Sequence, residues 1–135
     1  MASWVIRIDP TLLPRLPSPN DRLHWAAKTK AVSAWRQAVY AETVRQEMPK
    51  LDRVRISVVF GRKSLGRTDQ DNDVARCKPI IDGLVGCWEG KRGHRVFFSG
   101  PLCDDGRRYI PEPPVVSEKR SPEPYVEVTV MEVEE

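Results

Sequence analysis

The chain has 135 residues, with little cysteine and histidine, few aromatic residues and no long apolar run. No apolar stretch approaches the roughly 20 residues that a membrane-spanning helix needs. The N-terminal MASWVIRID lacks the basic head and apolar body of a signal peptide. We therefore expect a cytoplasmic protein with no membrane partner. Three cysteines, an odd number, predict reduced thiols and not a disulfide framework.

Motifs for several function classes are also missing. There is no Gly-x-x-x-x-Gly-Lys-Ser/Thr loop and no Gly-x-Gly-x-x-Gly, so we expect no nucleotide cofactor. Cys77, Cys87, His94 and Cys103 are separated by ten, seven and nine residues, with no Cys-x-x-Cys pair. That spacing is a poor match to a structural zinc site, and small core or loop thiols are the favoured interpretation. Neither His24 nor His94 lies near a Ser or Cys nucleophile motif.

Charge is distributed unevenly along the chain. Residues 1–70 carry 13 Lys and Arg against 6 Asp and Glu, a net +7, and residues 71–135 carry 9 against 13, a net −4. A basic face beside an acidic pocket suits a metal-dependent nuclease, because cations hold phosphates and carboxylates hold metal ions. A basic surface that only interacts with solvent explains the same numbers, so charge alone does not decide.

The acidic residues concentrate within Arg67–Leu84 and in one later pair. Carboxylates this close repel one another, and each has a raised pKa unless something positive lies between them. A divalent cation held by oxygen ligands is the usual solution, although Asp-rich turns also serve as caps and surface loops. The aspartates of the two groups are Asp69, Asp71, Asp73 and Asp82, then Asp104 and Asp105.

Hydrophobic periodicity predicts the main elements. Alternation of apolar and polar residues predicts strands at Trp4–Asp9, Val54–Phe60 and Tyr125–Val133. Helical spacing predicts a helix over Trp25–Met48, ended by Pro49. The buried stripe of that helix is expected at Val32, Trp35, Val39 and Thr43, flanked by Ala31 and Ala38.

The connecting segments are harder to interpret. Four prolines within 10–19 predict an extended loop without regular structure. Asp71 or Asn72 is a candidate N-cap for a second helix that runs to about Val85, but Pro79 then falls inside it. Either this helix kinks, or residues 71–76 form an irregular turn and the regular helix begins near Cys77, which we favour.

The second half of the chain contains a long glycine-rich passage. We expect Gly86–Gly106 to be a long loop, either functional or mobile, with a possible short strand at Val96–Ser99. An edge strand is expected at Tyr109–Ile110 or at Val115–Ser117, between prolines. The order of elements predicts a single small α/β (α+β) domain over 1–135, with a mixed sheet of about four strands and two helices packed on one face.

The acidic residues suggest a specific chemistry. Asp69 and Asp71 are two apart, which points both carboxylates the same way in an extended segment, and Asp105 or Asp104 would approach from the later loop. Such a site would hold a hard metal such as Mg²⁺, which activates water and neutralises charge on phosphoryl oxygens. In such a site Lys78 would contact the scissile phosphate or stabilise the transition state electrostatically.

These residues occur in an order that resembles a known family. The motifs are LPSPN at 16–20, RTDQDN at 67–72, KPIIDGL at 78–84, the Asp104–Asp105 pair and the final alternating YVEVTV. In this order, over nearly the whole chain, they resemble the RusA family of Holliday-junction resolvases. That family consists of small dimeric Mg²⁺-dependent endodeoxyribonucleases common in phages and prophages.

The resemblance implies an activity and a set of site residues. Asp69, Asp71 and Asp105 would be metal-binding catalytic carboxylates, Lys78 the catalytic lysine, and Asp104 a further candidate ligand, with Mn²⁺ as an alternative to Mg²⁺. The protein would be a homodimer that nicks two strands of a four-way DNA junction symmetrically. Candidate DNA contacts are Lys28, Lys30, Arg36, Arg62, Lys63, Arg67, Arg92 and Arg95.

Two features depart from the family pattern. Lys78 follows Asn72 by six residues instead of three, and three residues looped out near Asp73–Ala75 would restore its position. The passage 86–103 before Asp104 is long, and is either a flap that grips the substrate or only an elaborated loop. A non-catalytic branched-DNA-binding dimer of the same fold is therefore the alternative to the nuclease.

Overall fold

The computed structural model describes residues 2–17, 25–65, 70–91 and 93–133, with the backbone alone at 70–72. Three α-helices, one short 3₁₀ helix and six strands form the described part. The helices are α1 Trp25–Arg45, α2 Gln70–Arg76 and α3 Lys78–Val85, and the strands are β1 Ser3–Ile8, β2 Val54–Arg62, β3 Gly86–Glu89, β4 Val96–Ser99, β5 Val115–Arg120 and β6 Tyr125–Glu132.

The main sheet has four strands in the order β1-β6-β2-β5. Strand β6 pairs antiparallel with β1 and β2, while β2 pairs parallel with β5. The predicted mixed four-stranded sheet of an α+β domain is therefore confirmed. Of the two candidates for the edge strand, Val115–Ser117 is the correct one, and Tyr109–Ile110 is not a strand.

The core lies between one face of this sheet and the helices. Alternate residues of β1, β2 and β6 are buried, as the period-two pattern predicted. Trp35 and Val39 of α1 pack into the same cluster as Ile80 and Leu84 of α3. The buried stripe of α1 is Ala31, Trp35, Val39 and Thr43, so Ala31 takes the place expected for Val32.

Two predictions about the proline-rich and aspartate-rich segments were wrong. Pro10–Leu12 forms a short 3₁₀ helix, because proline suits a first helical turn and the Asp9 carboxylate accepts the Thr11 N–H at 2.9 Å. Residues 71–76 belong to α2, so neither Asp71 nor Asn72 precedes the helix as an N-cap. A separate helix does begin beside Cys77, as expected, and Pro79 lies in its first turn.

The Gly86–Gly106 passage contains a second, two-stranded sheet. Strands β3 and β4 pair antiparallel, with Trp88 opposite Phe97. The expected strand at Val96–Ser99 is confirmed, whereas the expected long loop is wrong for this part of the passage. Gly90 and Gly93 have positive φ angles of 111° and 90°. Residues with a Cβ adopt such angles only with backbone strain, so glycine at these positions allows the connection between the strands.

No helix among the described residues combines the length and apolar character needed to cross a membrane.

We predict that Gly83→Ala destabilises the protein. Gly83 lies where α3 approaches α1, and a Cβ there would be 2.7 Å from both the Arg36 carbonyl oxygen and the Val39 Cβ. Separating the helices should lower the free energy of unfolding by about 1–3 kcal/mol, offset in part by the better helix propensity of Ala. Urea unfolding measures this, with Gly106→Ala as control because its Cβ would meet only the Asp104 side chain. Equal stability of both variants would contradict the close approach.

Candidate active site around Lys78

Lys78 is the first residue of α3, and its ammonium group lies between two carboxylates. It pairs with Asp82 Oδ1 at 3.0 Å, one helical turn further along α3. It also donates a hydrogen bond to Asp105 Oδ2, although Asp105 is 27 residues away in sequence. The Lys78 side chain remains 61% exposed, so the group is accessible from solvent.

The chain after β4 returns to α3 and so brings Asp105 to Lys78. The Gly100 N–H donates to the Val85 carbonyl oxygen at 2.7 Å, and the Leu102 N–H donates to that of Leu84 at 3.1 Å. Leu102 is fully buried in the core. These contacts fix the loop to the end of α3, and the loop then passes back beside the start of the helix.

The Asp104 carboxylate makes a different contact from that of Asp105. Its Oδ1 accepts the Asp105 backbone N–H at 2.8 Å, a bond that holds the turn at the pair. Asp105 also borders a depression of about 270 Å³ that Arg107 and Ile81 help to line. Arg107 was not among the sequence candidates, because nothing in its local pattern separates it from other surface arginines.

The pairing perturbs both ionisable groups in the direction that keeps them charged. The pKa of Lys78 is raised, chiefly by its hydrogen bond to Asp105. The pKa of Asp105 is lowered, chiefly by the same hydrogen bond. At neutral pH Lys78 is therefore an ammonium ion and Asp105 a carboxylate. The contribution of the pair to stability is lost as pH falls through the lowered pKa of Asp105 or rises through the raised pKa of Lys78.

The other predicted ligands are only partly described. Asp69 lies outside the described residues. Asp71 lies in α2, so the side-by-side arrangement expected for an extended segment does not apply to it. Among the described side chains, no three or more His, Cys, Asp and Glu residues form a group that could hold a metal ion.

Asp73 has a structural role that the sequence did not suggest. It is 4% exposed, and its carboxylate accepts hydrogen bonds from Arg62 at 2.9 and 3.2 Å and from Arg76 at 3.0 Å. Arg62 also pairs with Glu118 at 2.8 Å. These ion pairs tie α2 to strands β2 and β5. Asp73 lies near the start of α2, and its partner Arg62 is eleven positions upstream in another element, so no local pattern indicated the contact.

The predicted DNA contacts that the structure describes differ in exposure and in bonding. Lys28, Lys30, Lys63 and Arg95 are exposed. Arg36 is half-buried, and its Nε donates to the Gly86 carbonyl oxygen at 2.6 Å. Arg62 is part of the Asp73 ion pairs just described. The two remaining candidates, Arg67 and Arg92, lie outside the described residues.

The cysteines differ in burial, which predicts different reactivity. Burial raises the pKa of the Cys77 thiol to about 12, and burial also raises the pKa of Cys87, whereas Cys103 is exposed. Because the thiolate is the reactive form, we expect one fast thiol per folded chain with Ellman's reagent at pH 8. Cys103→Ser should remove that fast phase. Three fast thiols in the folded protein would contradict this assignment.

Comparison with known proteins gives limited information. No family model matches the chain. An uncharacterized protein of Xylella fastidiosa (strain Temecula1) is 32% identical to it over 99 residues, which cover 68% of this chain. The chain spans 62% of that relative's length, and the relative's name assigns no activity.

Proposed function

We propose that the chain is a metal-dependent endodeoxyribonuclease that resolves four-way DNA junctions by paired symmetric nicks, acting as a homodimer. The observation that carries the proposal is the contact between Lys78 and Asp105. Two residues singled out by motif come together from positions 27 apart, on an exposed part of the surface. A substrate phosphate would approach the exposed Lys78 ammonium there, and a metal ion would bridge it to the Asp105 carboxylate.

The donor chemistry of the site fits a hard divalent cation. Asp105 is ionised and supplies carboxylate oxygen, the ligand type that Mg²⁺ and Mn²⁺ prefer. Asp69, Asp71 and Asp105 would hold the ion, with Asp104 as a further candidate. When bound, the cation supplies an activated water and neutralises charge on the phosphoryl oxygens.

Lys78 contributes positive charge and not a proton acceptor. Its raised pKa keeps it protonated at neutral pH. An ammonium group has three N–H donors, and Asp82 and Asp105 together take two of them. Within the part of the chain that the structure describes, the ammonium pairs with these two carboxylates, and a third N–H donor would bind a phosphate oxygen and stabilise the negative charge that develops during cleavage. Asp82 positions the lysine from one helical turn away.

Binding to the DNA would rest on phosphate contacts from exposed cations. Lys28 and Lys30 on α1, Lys63 after β2 and Arg95 before β4 are suited to this role, because all four are exposed. Such contacts position the protein on DNA without recognising the base sequence. A two-fold dimer places two sites on a substrate of matching symmetry, which accounts for paired nicks.

A cleavage assay tests the proposal. Synthetic four-way junction, linear duplex and flap substrates are incubated with Mg²⁺ or with EDTA, using wild type, Asp105→Asn and the control Asp52→Asn, which alters an exposed aspartate of another loop. We expect Mg²⁺-dependent nicks near the branch point in wild type and the control, and none in Asp105→Asn. Equal cleavage of branched and linear DNA would refute the proposal. Tight junction binding without cleavage in any metal would favour the non-catalytic dimer.

A further inference from the structure

The β3–β4 hairpin presents an aromatic surface to solvent. Trp88 and Phe97 are directly opposite each other in the antiparallel pair, so their side chains share one face. Their ring centroids are 5.1 Å apart in an edge-to-face arrangement. Trp88 is 45% exposed and Phe97 is 38% exposed. Large aromatic rings exposed together on a short ribbon indicate a binding surface more than a core.

Guanidinium groups accompany both rings. The Arg95 Cζ lies 5.4 Å from the centroid of the Trp88 ring, and the Arg36 Cζ lies 6.0 Å from that of Phe97. Arg36 is fixed there by its 2.6 Å hydrogen bond to the Gly86 carbonyl oxygen. We name Trp88, Arg95 and Phe97 the hairpin surface. It combines flat π faces with positive charge.

That combination favours one kind of occupant. Nucleobases stack on aromatic and guanidinium planes whatever their sequence, and the phosphates beside them need cations. Lys91 adds a further exposed positive charge near the turn, against one acidic residue, Glu89, within the hairpin. A two-fold contact with a second copy of the chain would instead bring Arg95 against an equally cationic hairpin, which like-charge repulsion disfavours.

We propose that the hairpin surface binds unpaired nucleotides of single-stranded DNA, with bases stacked on Trp88 and Phe97 and phosphates held by Arg95 and Lys91. The surface shares no residue with the Lys78, Asp82 and Asp105 contacts. The proposal extends the proposed function by naming the DNA feature recognised, and it does not depend on cleavage. It holds equally for a protein that binds branched DNA without cutting it.

Fluorescence anisotropy of a labelled 15-nucleotide oligo-dT, at one fixed salt concentration, tests the proposal on the whole chain. Trp88→Ala should weaken binding about tenfold, in line with the loss of one base–aromatic stack. Met131→Ala, which removes an exposed apolar side chain of similar exposure on β6, should bind as wild type does. The Trp88→Ala substitution should weaken binding to a blunt 15-base-pair duplex much less, because the bases of a duplex are already stacked. Circular dichroism verifies that the variants are folded.

Trp88→Phe keeps the proposal testable if Trp88→Ala does not fold. This variant retains an aromatic ring and should keep most of the affinity for oligo-dT. Titration with oligo-dT should quench tryptophan fluorescence in wild type, and Trp88→Phe should lose that quenching while it still binds.

Three results would overturn the proposal. The first is unchanged oligo-dT affinity in a folded Trp88→Ala. The second is undiminished quenching in Trp88→Phe. The third is a wild-type dimer, detected by analytical ultracentrifugation, that Trp88→Ala converts to monomer without changing the affinity of the protein for oligo-dT. In that case a second copy of the chain is the occupant of the surface.

Discussion

Replacing Lys78 with Met should reduce junction cleavage by about 10²–10³-fold, the usual effect of removing one group that stabilises transition-state charge. Junction binding should change little, because many phosphate contacts share the binding energy. Met keeps the length and apolar stem of Lys and removes only the ammonium that pairs with Asp82 and Asp105. Single-turnover cleavage rates and anisotropy titrations with the same junction separate the two quantities.

The matched control for this prediction is Lys119→Met. Lys119 is also exposed and lies on β5, away from α3. Stability should be similar in both variants, since an ion pair this exposed contributes little to folding. If Lys78→Met cleaves at the wild-type rate, then Lys78 has no catalytic role, and the contact with Asp105 belongs to the fold alone.

Replacing Asp73 with Ala should lower the free energy of unfolding by about 3 kcal/mol. We expect no other substitution of a charged residue proposed for this protein to be as destabilising. Asp73 is 4% exposed, and its carboxylate accepts hydrogen bonds from two arginines, Arg62 and Arg76. Its loss leaves both guanidinium groups partly buried and without that partner, while α2 loses its ion pair with Arg62 of β2. Urea unfolding at neutral pH measures the effect.

Glu42→Ala is the control for the Asp73 prediction. Glu42 also forms an ion pair three residues apart on a helix, with Arg45 at 2.7 Å, but the Arg45 side chain is 67% exposed. Such surface pairs contribute at most about 1 kcal/mol. A loss of under 1 kcal/mol for Asp73→Ala, equal to that of Glu42→Ala, would show that burial adds nothing to this ion pair.

Local sequence patterns predicted the main sheet well. In β2 the alternation Val54, Ile56, Val58, Phe60 is unbroken, and all four side chains are buried. The signal is strong because one face of the strand meets the core and the other does not. The β3–β4 hairpin lacks this signal. Gly86 opens β3, the strand has four residues, and all four residues of β4 are exposed, so alternation gave no guide.

Contacts distant in sequence explain what local patterns could not predict about the site. Residues 71–76 include Asp71 and Asp73 and are followed by Pro79, and these residues favoured an irregular turn. Their helix is held by Arg62, which belongs to another element. Lys78 and Asp105 were candidates from their chemistry and from the family resemblance. Their contact depends on hydrogen bonds from Gly100 and Leu102 to the end of α3. No spacing rule within the sequence encodes that return of the chain.

The most direct measurement of the central claim is cleavage of a supercoiled plasmid that extrudes a cruciform. Two sites acting on one junction cut both strands within one binding event, so we expect linear plasmid as the first product. The reaction should require Mg²⁺ or Mn²⁺ and should be absent in Asp105→Asn. A plasmid that stays supercoiled in every divalent metal, or is cut equally well without the cruciform, would contradict the account.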